Sequence, residues 1–114
     1  MEQQTIENTP LCRGVPVSRG VAFGKVRKPD EATNETTGAR DILVLPGSDP
    51  RYAVEVMSAA GLIVERGGRL AHICIVALEM GIPCITQAED AMKILKSGQS
   101  ILLDAEEGFV YAAG

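Results

Sequence analysis

Aromatic side chains are nearly missing: there is no Trp, and two Tyr and two Phe make up 4% of 114 residues. A core without rings must be built from Val, Ile, Leu, Ala and Met, and a surface without rings offers bases nothing to stack on. Lys/Arg blocks are missing too. The 11 basic and 15 acidic residues are scattered and leave a net charge of −4, which disfavours DNA, RNA and anionic membranes. No stretch approaches the roughly 20 apolar residues of a membrane span, and the opening Met1 to Asn8 is too polar for a secretory signal. The reading is a cytoplasmic chain with neither nucleic acid nor membrane as partner. Cys12, Cys74 and Cys84 are odd in number, widely spaced and free of any C-x-x-C pair, so they give no disulfide framework and no zinc signature. Their apolar neighbours mark them as small core residues in a reducing compartment. No metal is assigned to the chain.

What is present is aliphatic: 46% of the residues are apolar, enough at this length for one domain with a modest core. Residues 1–10 are polar and end in Pro10, so they are expected to form a flexible tail ahead of a domain over 11–114. Leu11 to Lys28 reads as short extended pieces broken by glycine and proline, with a strand over Val21–Val26. Lys28 to Arg40 reads as a polar loop. Asp41–Leu45 and Leu62–Val64 are apolar runs of the kind buried on both faces. Between them, Ser48-Asp49-Pro50 offers an N-cap for a helix over about 50–60 whose inner face would hold Ala53, Val56, Met57 and Ala60. A second helix is expected from Ala71 to Met80, stopped by Gly81 and Pro83. Cys84–Thr86 forms a third strand and Ala88–Leu95 a short helix. Ser100–Asp104 and Phe109–Tyr111 close the chain as a hairpin. This alternation makes a single α/β domain.

The stretch from Val64 to Pro83 carries the chemistry. A buried strand runs into Gly67-Gly68, and His72, the chain's only histidine, opens the helix that follows. Glycines allow close backbone approach to a ligand. The unpaired amides and dipole of a helix start favour an anion. An imidazole can be a neutral nucleophile at such a place, and Arg69 can add a charge-assisted bond to a phosphate. Taken residue by residue, His72 fits equally a helix cap or a half-buried filler, and Gly-Gly fits an ordinary turn. A hydrolase pair of His72 with Cys74 fails because residues two apart on a helix point away from each other. His72 and Glu79 lie too far apart to chelate one ion.

The stretch resembles the signature of the phosphohistidine swivelling domain, the mobile domain of phosphoenolpyruvate-utilising enzymes such as phosphoenolpyruvate synthase, pyruvate phosphate dikinase and enzyme I. Gly67, Gly68, His72, Ala77, Glu79, Gly81, Ile82 and Pro83 match its pattern. Outside the motif, Gly14 to Lys25, Asp41–Val44 with Asp49-Pro50, Lys96–Asp104 and Gly108–Tyr111 also run in register with it. Three positions depart from the pattern: Val64 replaces a Thr, Ala71 replaces a hydroxyl or thiol residue, and Leu78 replaces an Arg.

The resemblance implies a single swivelling β/β/α domain, a central sheet flanked by helices with a closing β-hairpin. It implies that Nε2 of His72 is a nucleophile that accepts a phosphoryl group, with Gly67, Gly68 and Arg69 binding the phosphate. It also implies a phosphotransferase component that is not a complete enzyme alone. This chain would bind no cofactor. Partner subunits or domains would supply the nucleotide and phosphoenolpyruvate sites together with Mg²⁺. The polar head beginning at Met1 leans toward a free-standing subunit over an excised domain. The alternative is a non-catalytic regulatory or interaction domain that keeps the fold, to which the three departures lend weight.

Overall fold

Two consecutive apolar strands set the architecture. In β4 (Asp41–Leu45) and β5 (Gly61–Val64) successive side chains point to opposite faces, yet Ile42 to Leu45 and Leu62 to Val64 are all buried. Both faces of this part of the sheet are therefore covered. A computed structural model of the protein describes residues 8–29, 38 and 40–114. The expected tail lies mostly, and the polar loop after Lys28 largely, outside the described residues.

The remaining strands are β1 (Cys12–Arg13), β2 (Val15–Ser18), β3 (Val21–Arg27), β6 (Cys84–Thr86), β7 (Ser100–Asp104) and β8 (Phe109–Ala112). They form one mixed sheet of eight strands in the order β1-β8-β7-β3-β4-β5-β6-β2. β3, β4, β5 and β6 run parallel to one another, and the remaining pairings are antiparallel. The two ends of this order are consecutive in the chain, separated by Gly14 alone, so the sheet curls back on itself. Gly14 donates its amide to the Gly108 carbonyl at 2.8 Å. A Cβ on Gly14 would sit 2.5 Å from the Thr86 carbonyl oxygen. The seam admits no side chain there.

One core fills the inside of the curl, with Ile42, Val44, Ile63, Ile85, Ile101 and Leu103 at its centre. A second lies between the alternate residues Leu43, Leu45, Leu62, Val64 and Cys84 and the helices α1 (Ala53–Ser58) and α2 (His72–Met80). Each fully buried aliphatic side chain contributes about 1.5–3 kcal/mol, which is how a chain with few rings holds together. The third helix, α3 (Ala91–Ile94), is one turn long.

The first helix differs from its expected form. Pro50–Tyr52 winds as a 3-10 turn and α1 proper is only six residues. The tighter winding shifts the phase of α1. Tyr52 and Val56 turn inward, while Ala53 and Ala60 are half-buried and Met57 is exposed, outside the core. The third helix is shorter than expected because Gln87 and Asp90 hold positive φ values of 55° and 61°, which delays its start.

Candidate functional site

The loops leaving the C-terminal ends of β4 and β5 meet at the start of α2, the crevice where α/β sheets commonly bind ligands. His72 is the first residue of α2, and its side chain is exposed. Ala71 holds the N-cap position with φ −63° and ψ 149° but offers no side-chain acceptor. Ser48, from the loop after β4, takes that role: its Oγ accepts the Ile73 amide at 3.2 Å. The cap expected from Ser48-Asp49-Pro50 for the first helix is supplied by Asp49, directly ahead of Pro50, which accepts the Arg51 amide at 3.0 Å. A first-turn amide has no partner within its own helix, and Ser48 satisfies one while the dipole's positive end still faces outward.

The loop ahead of the helix is exposed from Arg66 to Leu70. Gly67 sits at φ 131°, a backbone state that side-chain-bearing residues rarely adopt, and the space around a Cβ on Gly68 is open to 4 Å. The Gly67 carbonyl accepts the Thr86 hydroxyl at 2.9 Å, and the Gly68 carbonyl accepts the Ala71 amide at 3.1 Å. The fold thus places Gly67, Gly68 and Arg69 on the exposed approach to His72. Cys74, two residues on, is fully buried, so the structure does not bring it together with the imidazole. Its thiol meets that of Cys84 beneath the helix, and the hydrogen bond between the two, together with burial, pushes the Cys84 thiol up.

A cleft of about 360 Å³ opens beside the start of α2, walled by the Pro46–Asp49 loop, Arg51, Tyr52 and Arg66. Arg51 pairs with Asp49 at 3.2 Å and lies 4.8 Å over the Tyr52 ring. Arg66 approaches Glu65 at 3.9 Å. Each guanidinium at this rim is thus paired with a carboxylate that offsets part of its charge. Neither arginine, nor the capping role of Ser48, stood out in the sequence, because their shared position depends on the parallel pairing of β4 with β5. A larger cleft of about 580 Å³, around Phe23, Lys25 and Asp41, lies at the other end of the parallel strands, away from His72. Among the described residues no three His, Cys, Asp or Glu side chains come together to hold a metal.

The family model of the PEP-utilising enzyme mobile domain matches residues 37–108. The chain belongs to this family. It is 38% identical over 114 residues to phosphoenolpyruvate synthase of Aeropyrum pernix, covering 97% of this chain and 14% of that protein. It is 35% identical over 106 residues to rifampicin phosphotransferase of Bacillus subtilis, covering 91% of this chain and 12% of that protein. The mobile domain therefore spans a small part of these relatives' length. Among solved structures, the fold matches aconitase X of Thermococcus kodakaraensis with a TM-score of 0.65 and 18% identity, over 97% of this chain and 98% of that one. A solution structure of Enzyme I matches with a TM-score of 0.55 and 20% identity, over 71% and 32%. These two likenesses concern the fold.

Within this mobile domain the three departures occupy different surroundings. Val64 is buried at the end of β5, and Ala71 is the N-cap that Ser48 serves. Leu78 lies on the outer side of α2, 55% exposed, and Leu70 beside His72 is 86% exposed. Among the described residues no helix is long and apolar enough to cross a membrane.

Proposed function

We propose that this mobile domain carries a phosphoryl group on His72 between the active sites of partner domains or subunits. The observation that carries the reading is the exposed imidazole at the start of α2, at the end of a glycine loop whose backbone is open to a ligand. Rifampicin phosphotransferase and pyruvate kinase, two of the relatives, are by name phosphoryl-transfer enzymes, and the chain corresponds to 14% of a phosphoenolpyruvate synthase. The rest of the catalytic apparatus then belongs to partners: a nucleotide site, a phosphoenolpyruvate or pyruvate site, and the Mg²⁺ that offsets phosphate charge.

In the forward step a ring nitrogen of His72 donates its lone pair to phosphorus. The P–O bond to the donor breaks, and its electron pair leaves on the donor oxygen, while the imidazole's ring proton is given up. The phosphoryl group leaves by the reverse chemistry at a second site, so one difficult transfer is split in two. Gly67, Gly68 and Arg69 are the candidate phosphate contacts. The protein would act in the cytoplasm through a single domain over residues 11–114.

The competing reading is a regulatory or interaction domain that keeps the fold without transfer, and it draws on Val64, Ala71 and Leu78. Intact mass spectrometry after incubation with a donor and a partner enzyme separates the two. A gain of one phosphoryl group that disappears in His72→Ala supports the carrier. An unmodified wild-type chain under conditions where the partner is active supports the alternative.

A further inference from the structure

We propose that Thr86 is a positioning residue of the phosphate loop, holding the Gly67–Gly68 peptide so that the Gly68 amide faces outward as a donor for an incoming anion. Thr86 is fully buried, and its Oγ1 donates to the Gly67 carbonyl at 2.9 Å. That carbonyl is therefore turned toward the body of the sheet. In a planar trans peptide the C=O and the following N–H point in opposite directions, and the described chain contains no cis peptide. The Gly68 N–H is thus turned away from Thr86, toward the exposed side of the loop, and no described group takes it up. Gly67 at φ 131° is the conformation that lets the chain make this turn.

The register explains why the hydroxyl comes from this strand. β5 pairs with β6 through Leu62 with Cys84 and Ile63 with Ile85, so Val64 and Thr86 stand side by side one step further along. The chain has valine at 64, where the family pattern has threonine. Its hydroxyl beneath the loop comes from the neighbouring strand.

The inference rests on the phosphocarrier reading for its purpose but not for its geometry, and the test separates the two. Thr86→Val keeps the shape and removes the hydroxyl, while Thr86→Ser keeps the hydroxyl. The expected result is a fall of roughly three- to tenfold in the rate of phosphoryl uptake for Thr86→Val, the size of one lost hydrogen bond, with Thr86→Ser restoring the rate to within about twofold. The fold of each variant is checked by its amide spectrum. In the wild type the Gly68 amide proton should move downfield on phosphorylation, and in Thr86→Val that movement should shrink. Wild-type uptake by a folded Thr86→Val, or an equal Gly68 shift in both chains, overturns the inference. If no chain takes up phosphate, the carrier reading fails. The Gly68 resonance of the unmodified chains then decides the geometry alone: displacement in Thr86→Val but not in Thr86→Ser upholds it, and no displacement in either refutes it.

Discussion

Replacing Ser48 by alanine should loosen the start of α2, although Ser48 lies 25 residues before the amide it caps. The Ser48 Oγ is the side-chain acceptor for the Ile73 amide, and Ala71 at the N-cap cannot substitute for it. Loss of a helix cap costs about 1 kcal/mol. Unfolding entropy of roughly 2.1 cal/mol/K per residue scales to about 0.24 kcal/mol/K over 114 residues. The unfolding midpoint of Ser48→Ala should therefore fall by about 4 °C. Ala71 already has the extended φ and ψ that a capping serine adopts, so Ala71→Ser should recover most of the loss when placed in Ser48→Ala. In the wild-type background the same change should add little, since the two hydroxyls would serve the same helix end. Thermal unfolding followed by circular dichroism for the four chains closes this double-mutant cycle. An unchanged midpoint for Ser48→Ala, or an Ala71→Ser effect equal in both backgrounds, would refute the cross-loop cap.

Other outcomes concern the seam, the loop and a buried thiol. Gly14→Ala drives a Cβ toward the Thr86 carbonyl oxygen, 2.5 Å away. It should cost about 2–3 kcal/mol, measured by urea denaturation, whereas Gly68→Ala, with open space around it, should stay within about 0.5 kcal/mol. Cys12 is pushed up from 9.0 to about 11 by burial. The unfolded thiol therefore ionises first, and the stability this group contributes is complete below about pH 9 and lost as pH rises toward about 11. Denaturation midpoints of wild type and Cys12→Ala across that window should converge, and a constant difference would contradict the burial argument.

Much of the fold was legible because burial on two faces leaves a mark in short windows. Asp41–Leu45 and Leu62–Val64 read as buried strands because every residue of the runs after Asp41 is apolar, and Gly81 with Pro83 marks the end of α2, where Gly81 holds φ 71°. The place of His72 at a helix start was legible for the same local reason. Pairing between distant segments leaves no such mark. The curling of the sheet through Gly14, the cap that Ser48 gives to α2 and the bond from Thr86 to Gly67 all join residues whose closeness the topology creates. A 3.6-residue period puts Met57 on the inner face, but the 3-10 turn at Pro50–Tyr52 changes the helical phase and turns it out to solvent.

The most direct measurement is a phosphorus NMR spectrum of the chain after a partner enzyme and donor have been removed, followed by a chase with fresh dephosphorylated partner. The account predicts a single phosphoramidate signal, stable in base, lost in acid, absent from His72→Ala and discharged by the chase. A signal that survives in His72→Ala, or one that no partner can discharge, would contradict a phosphoryl group carried on this imidazole.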